Sequence, residues 1–514
     1  MRLRNEKAET GHLLSFISKR DRRDNFSLFF PVEGLEQFDM LLEVTKGFEK
    51  CLEAWLDMYD YMGYSVSNYG DIEKTFPEID TNRIFIFEQC EFLSETSQFI
   101  EPFGKALLKR FIQKQNQIFP NIVTGAMAVG SGFYDREADM REIWGSLQNK
   151  KNILFRAPRR FGKTSLLNHI AKNPLKGWRV CFVDLEGGDS AEKFIEKILT
   201  AMLVKKCFDP YLPVHLTGQH IYAKTDSEQL AILRKERQTI QKDWKKYAET
   251  LFNQVENTSE DTRFLFILDE VSFLIEDMMD QKDDAENQIN ELMAWFYELR
   301  KRHNKIRFIL SGSEHLPSFL SAFGIDSRLN DLVEAHLDLF DREIAREFIF
   351  LALAGQKVAA AIREIDLMLT LMGKPIPYFL HLFLDAICRT CKEKKTLSSD
   401  EIESVYHHHL LGSESKRYFE SITRQLDRYQ RYGGRNTAGA KSILDRLAID
   451  ENPVATEELK TIWRETTGSF EQFESMLDIM RDDFYFVKDE NQHVFIDSKL
   501  IKEWWRKYGI AGSR

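Results

Sequence analysis

Apolar positions along this chain recur with two different periods, and the change of period marks its parts. Leu35, Phe38, Leu42, Phe48, Leu52, Trp55 and Tyr59 fall at helical spacing, which predicts an amphipathic helix over Gly34 to Met62. Ile84 to Phe87 predicts a short strand, and Glu95 to Gln117 a second helix, so residues 1–125 read as a mostly helical N-terminal domain. Beyond them come short apolar runs of strand length: Ile153 to Phe155, Trp178 to Leu185, Phe264 to Leu268 and Arg307 to Leu310. A last apolar stretch covers Leu332 to Phe340. Five apolar residues in a row at Phe264 to Leu268 predict a strand buried on both faces, as in a parallel sheet covered by helices. One such helix is expected from Ser190 to Val204. Residues 224–256 place Leu230, Leu233, Trp244 and Leu251 at helical spacing among mixed charges, which predicts a solvated helical insertion.

The C-terminal pattern differs. Helical spacing in Ser442 to Leu447, Thr456 to Trp463 and Ser469 to Met480 precedes FYFV and HVFI, which flank Lys488 to Gln492. Three helices and a hairpin predict a winged helix. Residues 436–514 carry 11 Lys and Arg against 15 Asp and Glu, a net of −4, and the third helix has Glu471, Glu474 and Asp478 with no base before Arg481. Phosphate would repel such a helix, so protein contact is the better expectation.

With 514 residues, 43% of them hydrophobic and 30% charged, the chain can build three or four soluble domains without staples. Cys51, Cys90, Cys181, Cys207, Cys388 and Cys391 are too scattered for a disulfide framework, and no signal-like or membrane-spanning apolar run occurs, so the chain reads as cytoplasmic. A formal charge of −10 excludes a chain built wholly to coat nucleic acid. The basic N-terminus (Arg2, Arg4, Lys7, Lys19, Arg20, Arg22, Arg23) reads as a solvated arm. Lys416, Arg417, Arg424, Arg428, Arg431 and Arg435 interleave with Tyr418, Phe419, Tyr429 and Tyr432, making 416–435 the best candidate nucleic-acid surface; an amphipathic linker helix with snorkelling arginines is the competing reading. Cys388 and Cys391, followed by His407, His408 and His409, match no common zinc spacing.

The chemistry concentrates in NILFRAPRRFGKTSLLNH, Asn152 to His169. A strand, a tight turn and then Gly162-Lys163-Thr164-Ser165 opening a helix form the layout of a phosphate-binding loop. Backbone N–H groups around Phe161 to Ser165 would face the β-phosphate, Lys163 would reach the β- and γ-phosphates, and Thr164 would hold Mg²⁺. Ala157 stands where the first glycine is expected, so that turn needs a negative φ or some strain. At the carboxyl end of the Phe264–Leu268 run, Asp269 would bind Mg²⁺ and Glu270 would polarise the attacking water. The next strand ends in Ser311-Gly312-Ser313, where Ser311 or Ser313 would sense the γ-phosphate; ordinary turn chemistry is the alternative. Arg328 would neutralise transition-state charge in a neighbouring subunit's site, unless it is a plain surface arginine.

Taken together, FYDRE, APRRFGKTSLL, FILDE, ILSGS and the segment Gly373 to Leu380 resemble the AAA/STAND-type P-loop ATPases often called archaeal ATPases, from about Gly132 to Trp505. The resemblance implies an α/β core (126–345) with sheet order 5-1-4-3-2, a helical lid (346–435) and a C-terminal winged helix (436–514). It also implies ATP and Mg²⁺ as cofactors. The nucleotide would be held by the loop residues Ala157, Pro158, Arg159, Arg160, Phe161, Gly162, Lys163, Thr164 and Ser165, bordered by Phe133 and Arg136, with Pro377 of the lid near the adenine. Asp135 departs from the family's usual glycine. The implied function is an ATP-hydrolysing switch coupling nucleotide state to oligomerisation or to a protein partner met by the N-terminal or winged-helix domain, with defence-type signalling among its settings. The alternative is an ATP-dependent DNA-binding module of the replication or transposition loader kind.

Overall fold

The structure, a computed structural model, describes residues 120–510 apart from 125–132, 159, 214, 217–225, 258–260, 281–283, 313–319, 321–323, 357, 359, 361, 392–396, 433–434 and 484. Before residue 120 it describes four strands, β1 (Arg2–Ala8), β2 (Gly11–Ile17), β3 (Asn25–Phe30) and β4 (Ile84–Ile86), which form one sheet in that order. The β1–β2 and β2–β3 pairs are antiparallel and β3–β4 is parallel. The strand expected at Ile84 is β4. Arg2, Arg4 and Lys7 lie in β1, and the described residues of this region are strand. The helices expected over 34–62 and 95–117 lie outside the described residues.

Two units divide the chain, one of Asp135–Leu339 with Arg424–Ile496, the other of Met1–Tyr134, Phe340–Thr423 and Asp497–Arg514. In the first, α1 (Glu137–Gln148) precedes β5 (Asn152–Arg156), which turns into α2 (Lys163–Lys172). Next come β6 (Trp178–Asp184), α3 (Ala191–Val204), α4 (Asp226–Lys242) and α5 (Trp244–Asn257). They are followed by β7 (Arg263–Asp269), α6 (Val271–Met279), α7 (Ala285–Arg302), β8 (Ile306–Gly312) and β9 (Leu332–His336). The five strands are all parallel, ordered β6-β7-β8-β5-β9. Numbered within the sheet from the other edge, this is the expected 5-1-4-3-2. Phe264 to Leu268 of β7 are wholly buried because helices cover both faces, so an uninterrupted apolar run is what the strand needs.

The expected insertion is the pair α4 and α5, but it is solvated on one side only. Tyr247, Ala248, Leu251, Phe252 and Val255 are buried, with the Phe252 ring 5.3 Å from Phe266 and 5.9 Å from Phe308. Glu236 is buried too, and accepts a hydrogen bond from the Tyr247 hydroxyl at 2.7 Å.

In the second unit lie α8 (Arg342–Gly355), α9 (Ile362–Met372), α10 (Pro377–Thr390) and α11 (Ser399–Val405), and α12 (Lys416–Asp427) begins. Phe419 stacks on Phe379 and on Trp504, both at 4.7 Å, which draws the helix Lys499–Trp504 onto these elements. Gly373 has φ 75°, and a Cβ there would stand 2.5 Å from the Lys499 backbone nitrogen, so this approach requires glycine.

His381 of α10 is buried, and its Nδ1 accepts the Val123 N–H at 3.1 Å. Burial pushes its imidazole down to about 4. The unfolded chain takes up this proton near pH 6.5 and the folded chain only near 4, so the stability from His381 is full above 6.5 and is lost as the pH falls between those values. Urea unfolding of the wild type and of His381→Gln at pH 7 and pH 5 should show the wild type losing about 2 kcal/mol more than the variant. Equal losses would mean that the ring is not held neutral.

Residues 424–496, in the first unit, contain α13 (Asn436–Ile449), α14 (Thr456–Thr467) and α15 (Phe473–Asp482) beside an antiparallel sheet of β10 (Val454–Ala455), β11 (Val487–Lys488) and β12 (His493–Phe495). The fully buried Trp463 donates its indole N–H to Glu471 O at 3.2 Å.

Candidate nucleotide site

Strand β5 delivers the chain into the loop with Ala157 and Pro158 buried. Ala157 keeps a negative φ, so its methyl adds no backbone strain; among the described loop residues Arg160 (φ 74°) and Gly162 (φ 98°) are left-handed. Glycine is needed at 162, where α2 begins. Phe161 is buried between them and pins the loop, whereas Arg160 is exposed. Left-handed turns running straight into a helix N-terminus make an anion-binding concavity, to which the α2 dipole adds positive potential. Asp135 also has a left-handed φ, 50°, a conformation that glycine adopts at no cost and aspartate tolerates better than most residues.

Parallel register sets Phe155 beside Ser311 and Arg156 beside Gly312, so the ends of β5 and β8 flank the loop, and β7 delivers Asp269 next to them. Asp269 is 2% exposed and would be costly to bury without partners. It has several: the Thr164 hydroxyl donates to Oδ2 at 3.0 Å, the Ser311 hydroxyl to Oδ1 at 2.7 Å, and the Glu270 N–H to Oδ1 at 3.1 Å. Lys163 is 8% exposed; its Nζ donates to Gly312 O at 3.0 Å and lies 3.8 Å from Asp269 Oδ1 and 3.5 Å from Glu270 Oε1. Glu270 has φ 60° and ψ 42° and caps α6, a sparsely populated geometry of the kind that recurs at functional sites.

This donor set fits a nucleotide with Mg²⁺. Thr164 Oγ1 and Asp269 Oδ2 are adjacent hard oxygens of the type Mg²⁺ takes, and the Lys163 ammonium stands at the mouth of the anion-binding loop. Sequence reasoning reached Lys163, Thr164, Asp269, Glu270 and Ser311, and the fold brings these five together. It missed the Gly312 carbonyl, for which a partner is found only once β5 and β8 are aligned.

Arg159 and Ser313 are outside the described residues. Ser165 is buried in α2. Arg136 is buried, which lowers its pKa; it donates to Asp338 O at 2.9 Å and lies 3.6 Å from Asp139. Phe133 and Pro377, the latter in the first turn of α10, belong to the second unit. The Arg328 guanidinium lies 6.0 Å over the Tyr297 ring, on a turn whose Arg328 carbonyl accepts from the buried Arg300 at 2.5 Å. Arg300 also grips Asp331 through two hydrogen bonds.

Segment 416–435 commits much of its aromatic surface to packing. Phe419 and Tyr429 are 1% exposed, and Tyr429 donates to Asp483 Oδ2 at 2.6 Å, so neither is a platform for a base. Burial pushes the Cys388 thiol up to about 12, and the described residues contain no group of three or more potential metal ligands. Among the described residues no helix is long and apolar enough to cross a membrane.

Residues 147–320 match the family described as AAA domain. The fold is similar to that of the Walker-type ATPase PABY2304 of Pyrococcus abyssi, with 18% identity and a TM-score of 0.50 over 76% of this chain and 99% of that one. Lower similarity is found to the ORC2 protein of Aeropyrum pernix, with 12% identity and a TM-score of 0.42 over 76% and 97% of the two chains. It is found also to the RuvB Holliday junction branch migration motor of Thermotoga maritima, with 11% identity and a TM-score of 0.33 over 72% and 94%. No curated protein matches. With a parallel sheet of this order, a phosphate-type loop between β5 and α2 and the match over 147–320, this part of the chain is similar to the AAA domain family.

Proposed function

We propose that this chain is an ATP-binding and ATP-hydrolysing switch of the AAA/STAND type. The observation that carries the reading is the cluster of buried Lys163, Asp269 and Ser311 with half-buried Thr164, and Glu270 at its edge. In it the loop from Ala157 to Ser165 cradles the phosphates and Lys163 neutralises them, while Thr164 and Asp269 hold Mg²⁺, which when bound supplies charge stabilisation at the phosphoryl oxygens. Glu270 orients a water and accepts its proton, and the Ser311 hydroxyl keeps Asp269 oriented. Arg136 borders the nucleotide in this reading, Ser313 joins Ser311 in sensing the γ-phosphate, and Arg328 serves the site of a second copy.

The same proposal makes residues 436–514 a winged helix. Nucleotide state is then coupled to oligomerisation or to a protein partner in the cytoplasm. The DNA-binding alternative draws less support, since Phe419 and Tyr429 are spent on packing. Phosphate release from radiolabelled ATP by the full chain, with Mg²⁺ and with a chelator, tests the hydrolytic part. Turnover that requires Mg²⁺ is expected; no release by the wild type, alone or with candidate partners, would sink it.

A further inference from the structure

Helix α6 begins at Glu270, which caps it in a left-handed conformation. A carboxylate so placed moves with its helix, and a roll or slide of α6 changes its distance from Lys163, now 3.5 Å. Phe273 and Glu276, three residues apart, lie on one face of α6, and Glu276 is 3% exposed. One side chain from far along the sequence meets both. The Arg428 guanidinium lies 3.9 Å from the Phe273 ring centroid and 3.4 Å from the Glu276 carboxylate. Arg428 is itself fixed, because it opens the 3-10 turn Arg428–Tyr432, whose next residue, Tyr429, is buried and donates to Asp483. A guanidinium that stacks on a ring and pairs with a nearly dry carboxylate restrains the helix in two directions. An exposed ion pair would not.

We propose that Arg428 is a positioning residue for hydrolysis: it holds α6, and through α6 the Glu270 carboxylate, at its working distance from the phosphate loop. The inference rests on the reading of Glu270 as the group that acts on water. If Arg428 only fastened residues 436–496 to the core, its loss would lower stability and leave the chemical step alone.

The test uses the full chain at a temperature where every variant is folded by circular dichroism. Fluorescent mant-ATP with Mg²⁺ gives Kd, and phosphate release gives kcat and KM. Arg428→Met should keep Kd and KM within about twofold of wild type while kcat falls about tenfold or more, since small misplacements of a catalytic group act on the chemical step. Arg428→Lys, which keeps the charge but not the planar guanidinium over Phe273, should fall between. Combined with Glu270→Gln, Arg428→Met should slow single-turnover hydrolysis no further than Glu270→Gln alone, because the two act through one group. A kcat for Arg428→Met within twofold of wild type, or losses that multiply in the double variant, would overturn the proposal. A wild type without turnover would instead mean that the hydrolytic reading fails, and this inference with it. Should Arg428→Met not fold, Arg428→Lys and Glu276→Gln carry the same comparison.

Discussion

Replacing Lys163 with alanine should lower the affinity for ATP with Mg²⁺ by about ten- to a hundredfold. The ammonium is a compact charge, 8% exposed, at the start of α2, and charge-assisted contacts of this kind contribute about 1.5 to 3 kcal/mol. Its neighbourhood sharpens the expectation. Asp269 and Glu270 stand 3.8 and 3.5 Å from Nζ, so without Lys163 an incoming triphosphate meets two carboxylates whose nearest cation is gone. The hydroxyls of Thr164 and Ser311 still satisfy Asp269, so the loss should fall on binding more than on folding. Calorimetric titration of both proteins decides the matter: equal affinities would mean that the chain does not use this loop for nucleotide.

Glu270→Gln should act on the other half of the cycle, lowering turnover by about 10²- to 10⁴-fold, the range set by removing a general base. Affinity should stay equal or rise, since the neutral amide neither draws Lys163 from the phosphates nor repels them. Single-turnover hydrolysis with radiolabelled ATP measures the loss directly. Turnover within tenfold of wild type would show that another group acts on the water.

Much of the site was legible in the sequence because its signals are local. A strand, a turn with glycine at the one φ of 98° and a helix starting at Lys163 occupy adjacent residues, and the apolar run of β7 announces burial on both faces. The sheet order came from family resemblance, since hydrophobic period says how a strand is covered and not which strand lies beside it.

The loop, the acidic strand end and the helix–strand alternation around them are set by hydrogen-bonding periods and turn chemistry within a few residues, and so can be read from the amino acids in order. Long-range packing alone makes Gly312 O receive Lys163, turns the apolar face of α5 to Phe266 and Phe308, and pairs Arg428, one base in a run that suggests nucleic acid, with Glu276. A charged side chain carries no local mark of its partner. Which carboxylate, ring or carbonyl it meets is settled by packing between segments far apart in the chain, where desolvation penalises every arrangement that leaves a buried charge or carbonyl unmatched.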